Sequence, residues 1–220
     1  MVLDGVSLSL RAGEGLALLG ANGAGKTTVL KILATLVKPT RGRAIVAGAD
    51  CVRDPEGVRR VVGLMAHGAY LYDDLTAVEN LRFWSEFAGR PATADALRSA
   101  LAGVELDLFA DERVRSFSAG MRRRLGLARL VLLGPRVLLL DEPFAGLDAR
   151  ARKWLEEYLG AFKERGGAVL MTTHSFGRDL GAVDRVAILS AGRIAQDVVR
   201  SRVTPEELSR LYAIHTEEGA

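Results

Sequence analysis

The chain has 220 residues, 49% of them hydrophobic and 26% charged, enough for one domain or for a core carrying an inserted subdomain. A net charge of +3 makes no case for nucleic acid, and the single cysteine, Cys51, excludes an intramolecular disulfide framework and a cysteine zinc site, in keeping with a reducing compartment. No signal peptide opens the sequence, and the longest apolar stretches, Leu130 to Leu133 and Val137 to Leu140, are far too short to span a bilayer, so a protein soluble on its own is expected.

In chain order, Val2 to Leu10 alternates apolar and polar residues and reads as a half-buried strand. Gly15 to Leu19 is a short apolar run that reads as a buried strand, and Thr28 to Ala34 carries apolar residues at helical spacing. Between them lies Gly20-Ala21-Asn22-Gly23-Ala24-Gly25-Lys26-Thr27-Thr28, which satisfies the phosphate-loop pattern G-x-x-x-x-G-K-[ST] in the strand-to-helix context that the pattern requires. Gly20, Gly23 and Gly25 allow positive φ and close backbone approach, so successive N–H groups can face a phosphate at the helix start. Lys26 can reach the β- and γ-oxygens, and the Thr27 hydroxyl suits a Mg²⁺ that takes its remaining ligands from phosphates and water.

Pro39 to Gly42 reads as a turn, Arg43 to Val46 as a strand, and Val61 to Met65 as a core strand ending near Ala66-His67-Gly68. Helix signals then dominate to about Leu133. Thr76-Ala77-Val78-Glu79 is a capping box, Ala94 to Leu101 is a second helix, and Ser118 to Leu133 is a third, with Leu125, Leu127, Ala128 and Leu132 available for packing. Arg122, Arg123 and Arg124, early in that third helix, read as a solvated face. Strand character returns at Val137 to Leu140, Ala168 to Met171 and Val186 to Leu189. Gly192 and Arg193 open a further turn and strand, and Thr204-Pro205-Glu206-Glu207 caps a closing helix. The layout is α/β: an ATP-binding core in residues 1–66 and 134–200, a helical insert in 67–133, and a C-terminal helix and tail in 201–220.

Val137 to Leu140 delivers Asp141 and Glu142 at a strand's carboxyl end, where α/β sheets place their ligands. Asp141 is expected to hold Mg²⁺ opposite Thr27. Glu142 is expected near the γ-phosphate, placed to polarise an attacking water.

At these residues the sequence resembles the ATP-binding subunit of ABC transporters over nearly its whole length. Phe117-Ser118-Ala119-Gly120-Met121 stands where that family has its LSGGQ signature, Ala145-Gly146-Leu147-Asp148 looks like its D-loop, and His174 like its switch histidine. The resemblance implies a RecA-like P-loop NTPase core with flanking helices and an inserted helical subdomain. It also implies binding of ATP and Mg²⁺, and a head-to-tail pairing with a second, identical or different cassette. In that pairing Ser118, Gly120 and the helix N-terminus of one copy close over the nucleotide of the other, Asp148 is a further nucleotide-binding residue, and hydrolysis resets the pair. The partners implied are transmembrane permease subunits, at which the chain would sit peripherally on the cytoplasmic face of the membrane.

Four features depart from the family pattern. His67 falls where the Q-loop glutamine is expected, and an imidazole there is a candidate Mg²⁺ or water ligand. The signature has Ala119 and Met121 for glycine and glutamine, and the D-loop has Ala145-Gly146 for the usual Ser-Ala. The upstream strand and adenine-stacking aromatic residue usual in the family do not precede Val2 to Leu10 here, so either a longer protein or another source of base stacking is expected. Leu71 to Leu81 and the Ser-Ala-Gly signature look most like exporter subunits, particularly the haem exporter of cytochrome c maturation, with drug, ion or lipid exporters as alternatives. A nucleotide-gated module that hydrolyses little is a second class, and a DNA-repair or translation ATPase a third. Tyr70, Tyr72 and Leu75 are candidate contacts to a membrane subunit, or packing residues of the insert.

Overall fold

Residues 2–66 and 70–217 are described by the structure, a computed structural model. The elements are, in order, β1 (Gly15–Leu19), α1 (Lys26–Leu33), β2 (Ile45–Val46), β3 (Ala49–Asp50), α2 (Pro55–Val61), β4 (Val62–Met65), α3 (Ala77–Phe87) and α4 (Ala94–Gly103). They continue with α5 (Ala119–Leu133), β5 (Val137–Asp141), α6 (Ala149–Glu164), β6 (Ala168–Thr172), β7 (Arg185–Ser190), β8 (Arg193–Val199) and α7 (Pro205–Glu217). Six strands form one sheet in the order β4-β5-β6-β1-β7-β8, parallel from β4 to β7 with β8 antiparallel at the edge. This is a mixed α/β fold built on a largely parallel sheet.

The inner strands are apolar throughout because both faces of the sheet are covered. Leu16, Leu18, Leu139, Leu170 and Leu189 point to one side, onto Val29 and Leu30 of α1. Their neighbours Ala17, Leu19, Leu138, Leu140, Met171 and Ile188 point to the other, onto Leu125 of α5 and Leu155 and Leu159 of α6. The period of two along each strand separates two cores across one layer. A smaller third core holds Val46, Val58 and Cys51, which is 5% exposed.

Register decides where the polar residues emerge. Thr172 of β6 lies opposite Leu18 of β1 on one side and Asp141 of β5 on the other. Two residues beyond Leu18 is Gly20, one beyond Asp141 is Glu142, and two beyond Thr172 is His174. Three segments distant in sequence therefore leave the sheet together, at the carboxyl ends of β1, β5 and β6.

The helix starts follow their sequences. Thr76 Oγ1 accepts the Glu79 N–H while Glu79 accepts the Thr76 N–H, completing the capping box. Thr93, Ser118 and Asp148 cap α4, α5 and α6 with the side chain alone, accepting the N–H of Ala96, Met121 and Ala151.

Some expectations need correction. Val2 to Leu10 joins no strand ladder, although Leu3, Val6, Leu8 and Leu10 do lie on the core beside α1. Alternation reports which side of a segment is buried; a ladder also needs a free strand edge in register, and the backbone here makes an isolated bond from the Asp4 N–H to the Gly192 carbonyl at 2.8 Å. The strand expected at Arg43 to Val46 shrinks to a two-residue arm of the β2/β3 hairpin. Helices α2 and α6 were not anticipated, and α2 takes Val61 from the expected strand. The three arginines of α5 are not a solvated face: Arg122 pairs with Asp73, Arg124 lies 3.7 Å from Glu105, and Arg123 turns inward onto backbone carbonyls. A basic run looks the same in sequence whether its partners are water or distant acids. Among the described residues no helix is long and apolar enough to cross a membrane.

Candidate functional site

The site begins with the loop between β1 and α1. Gly23 has φ 83° and Gly25 has φ 107°, left-handed conformations that side chains resist. At Gly20 the demand is space, since a Cβ there would sit 2.5 Å from the Leu189 carbonyl oxygen. Ala21, Asn22 and Gly23 are exposed at the loop tip, and Gly25 caps α1 without a side-chain hydrogen bond, leaving the helix start open to an anion. The Lys26 side chain folds back over the loop, its Nζ donating to the Gly20 carbonyl at 2.6 Å and the Ala21 carbonyl at 3.1 Å. Burial pushes the Lys26 ammonium below its usual pKa, opposed by the negative charges of Glu142 and Asp141. The two acids thus lie within electrostatic reach of the loop's cation.

Thr27 Oγ1, on the first turn of α1, is 3.1 Å from Asp141 Oδ2 at the end of β5. Asp141 Oδ1 accepts from Thr172 Oγ1 at 2.6 Å, so the carboxylate is held from both sides. A hydroxyl and a carboxylate facing across a phosphate loop are hard oxygen donors suited to Mg²⁺, which keeps the rest of its shell for waters and phosphate oxygens. No group of three or more His, Cys, Asp or Glu side chains converges among the described residues, so this fit depends on phosphate supplying ligands.

Glu142 follows directly, with φ 49°, a left-handed conformation unusual for a non-glycine residue and rarer still before a proline. Its N–H donates to Thr172 Oγ1 at 3.0 Å. Its Oε1 lies 2.7 Å from His174 Nε2, beyond the end of β6. Neighbouring strands thus bring together a carboxylate and an imidazole separated by 31 residues. Beside them opens a polar cavity of about 330 Å³ lined by Glu142, Phe144, Arg152, His174 and Asp179 among others.

Ser118, Gly120 and Asp148 make no side-chain hydrogen bond to this cluster among the described residues. Ser118 Oγ accepts the Met121 N–H at the start of α5, a Cβ on Gly120 would lie 3.5 Å from the Gly146 carbonyl, and Asp148 Oδ1 accepts the Ala151 N–H. The signature segment therefore lies beside the chain's own D-loop-like segment, and no hydrogen bond among the described residues ties it to residues 20–28. His67 lies outside the described residues. Tyr70 and Tyr72 are about half exposed; the Tyr72 ring lies in an aromatic group with Phe83, Trp84 and Phe87, and the Tyr70 carbonyl accepts from Trp84 Nε1 at 3.0 Å.

Sequence reading missed three participants. Thr172 supports both acids, Arg123 holds the backbone on either side of Glu142, and Arg152 pairs with Asp179, whose other oxygen accepts from Thr173 Oγ1 at 3.2 Å. The polar Thr172-Thr173 pair ending an apolar strand was a usable signal; the arginines offered none.

A family model described as ABC transporter matches residues 3–145. The doxorubicin resistance ATP-binding protein DrrA of Mycobacterium tuberculosis is 38% identical over 196 residues, covering 88% of this chain and 59% of that protein. The cytochrome c biogenesis ATP-binding export protein CcmA of Pseudomonas savastanoi pv. phaseolicola is 40% identical over 174 residues, 79% of this chain and 81% of that protein. Among solved structures, an ATP-binding subunit of an ABC transporter superposes with TM-score 0.84 at 29% identity, over 97% of this chain and 88% of that one. A dimeric ATP-binding cassette in a post-hydrolysis state, bound to ADP and Pi, superposes with TM-score 0.80 at 26% identity, over 90% of each chain.

Proposed function

The chain belongs to the ABC transporter family, and from that premise we propose that it is an ATP-binding and ATP-hydrolysing subunit, pairing head to tail with a second cassette to drive export through separate membrane subunits. The observation that carries the reading is the 2.7 Å pair of Glu142 and His174 at the carboxyl end of the parallel strands, which also holds the phosphate loop.

The geometry supports the following division of labour. The N–H groups of Gly20 to Thr28 and the Lys26 ammonium bind the β- and γ-phosphates. Thr27 and Asp141 would hold Mg²⁺, which when bound offsets phosphate charge. Glu142, with Oε1 engaged by His174, keeps Oε2 to accept a proton from the attacking water, and His174 orients that pair toward the γ-phosphate. Ser118, Gly120 and Asp148 make no hydrogen bond to the chain's own loop among the described residues, which suits a role on the nucleotide of the partner copy. The dimeric, ADP-bound likeness supports this arrangement. On this reading residues 67–133 form the inserted helical subdomain, with their exposed aromatic group toward a membrane subunit, and the chain is peripheral on the cytoplasmic face.

Export of haem for cytochrome c maturation is the cargo reading favoured by the CcmA likeness, which spans about four fifths of both proteins. Drug export is favoured by DrrA, although this chain spans only 59% of that protein's length.

ATP hydrolysis by the purified chain against protein concentration, with Glu142→Gln as control, tests the central proposal. A rate per subunit that rises with concentration and falls by about 10²- to 10⁴-fold in the variant is expected. A flat, near-zero rate despite measurable ATP binding would favour a nucleotide-gated module instead.

A further inference from the structure

We propose that Arg123 is the positioning residue for the Glu142 carboxylate, tying the start of α5 to the reacting centre of the same chain. The inference rests on the role given to Glu142 above. Arg123 Nη2 donates to the Asp141 carbonyl and Nε to the Pro143 carbonyl, each at 3.1 Å. These are the carbonyls of the residues before and after Glu142. One planar guanidinium therefore spans the Asp141-Glu142-Pro143 segment that carries the carboxylate, a task suited to a rigid fork of donors.

The clamp has something to hold. Glu142 has φ 49° and precedes Pro143, so its backbone occupies a region that neither a non-glycine residue nor a pre-proline position prefers. Such strain persists only where surroundings over-determine it. Thr172 supplies one restraint, on the Glu142 N–H, and Arg123 supplies two more from the opposite flank. Arg123 is substantially buried, and burial pulls its guanidinium below the usual arginine range while Glu142 and Asp141 oppose that shift. A half-buried cation thus sits here with no carboxylate bonded to it among the described residues, its hydrogen bonds going to backbone.

Arg123 also lies little more than one helical turn from Ser118, the cap of α5. If α5 is seated by the partner's nucleotide, the same rigid turn sets the backbone under Glu142. The arginine thereby makes each chain's carboxylate answer to the nucleotide held by the other.

The test compares wild type, Arg123→Ala, Arg123→Lys, Glu142→Gln and the double variant Arg123→Ala/Glu142→Gln, with Arg122→Ala as a neighbouring control. For Arg123→Ala the expected result is a fall in kcat of about 10²-fold, the scale of a misplaced reacting group, with KM for ATP and nucleotide binding nearly unchanged. Arg123→Lys should recover only part of the rate, because an ammonium cannot reproduce the fork. Arg122→Ala, which loses the Asp73 pair and a 3.4 Å bond to the Phe117 carbonyl, should keep wild-type turnover. In single-turnover measurements the double variant should be no slower than Glu142→Gln alone. Wild-type kcat in Arg123→Ala, a parallel loss of binding and rate, or losses that multiply in the double variant would each overturn the proposal. If truncation costs the fold, Arg123→Lys carries the same comparison. Glu142→Gln at wild-type rate would instead remove the underlying role of Glu142, and that outcome is separate from the others.

Discussion

The Thr172 hydroxyl accepts the backbone N–H of Glu142 at 3.0 Å and, with its own proton, donates to Asp141 at 2.6 Å. One fully buried oxygen therefore serves two acids with different proposed tasks. Thr172→Val keeps the shape and deletes both bonds, leaving a donor without its partner. Such a loss costs about 1–3 kcal/mol. We expect lower stability in denaturant titration together with slower ATP turnover; stability falling without any change in rate would show that Thr172 only supports the fold.

Gly20→Ala tests the tightest approach in the loop. The added Cβ would stand 2.5 Å from the Leu189 carbonyl oxygen, and backbone on β7 cannot swing aside as a long side chain could. Overpacking of this kind costs about 1–3 kcal/mol. A melting temperature and ATP affinity both equal to wild type would mean that the loop and β7 separate freely.

Lys26→Ala should abolish nucleotide binding, read by equilibrium titration with a fluorescent ATP analogue. Lys26 already spans the loop through the Gly20 and Ala21 carbonyls, so the variant loses both the charge and the brace. Unaltered affinity would undo the phosphate-loop assignment.

The phosphate loop, the two acids and the inner strands were legible because each depends on local pattern: glycines between a strand and a helix, or acids ending an apolar run. The pairing of Glu142 with His174 was legible only in part. Both residues were candidates, but their contact depends on β5 and β6 being neighbours, which no spacing encodes. Arg123 was misread because inward and outward arginines have the same letter, and its targets are carbonyls, which every residue has. Val2 to Leu10 showed its buried side correctly while its pairing depended on an edge elsewhere.

The capping box of α3 gives a pH-dependent prediction. The Thr76 N–H holds the Glu79 carboxyl below the usual carboxylate range, so the folded pKa lies under the unfolded one. Its contribution is present above the ordinary glutamate range and is lost as pH falls through the lowered value. Glu79→Ala should therefore destabilise at neutral pH and do so less in acid. Thr76→Ala removes the other half of the box and should cost about 1 kcal/mol at neutral pH. Equal effects of Glu79→Ala at pH 7 and pH 3 would detach the carboxylate from the cap.

Cys51 is the sole thiol of the chain, packed between Val46 and Val58, and burial raises its pKa so that little thiolate forms. For maleimide or nitroxide chemistry the wild-type protein is thus a nearly blank background. A single cysteine introduced on an exposed position such as Arg150 would label alone, and fluorescence transfer between two labelled copies could then follow their approach in real time without first removing the native residue.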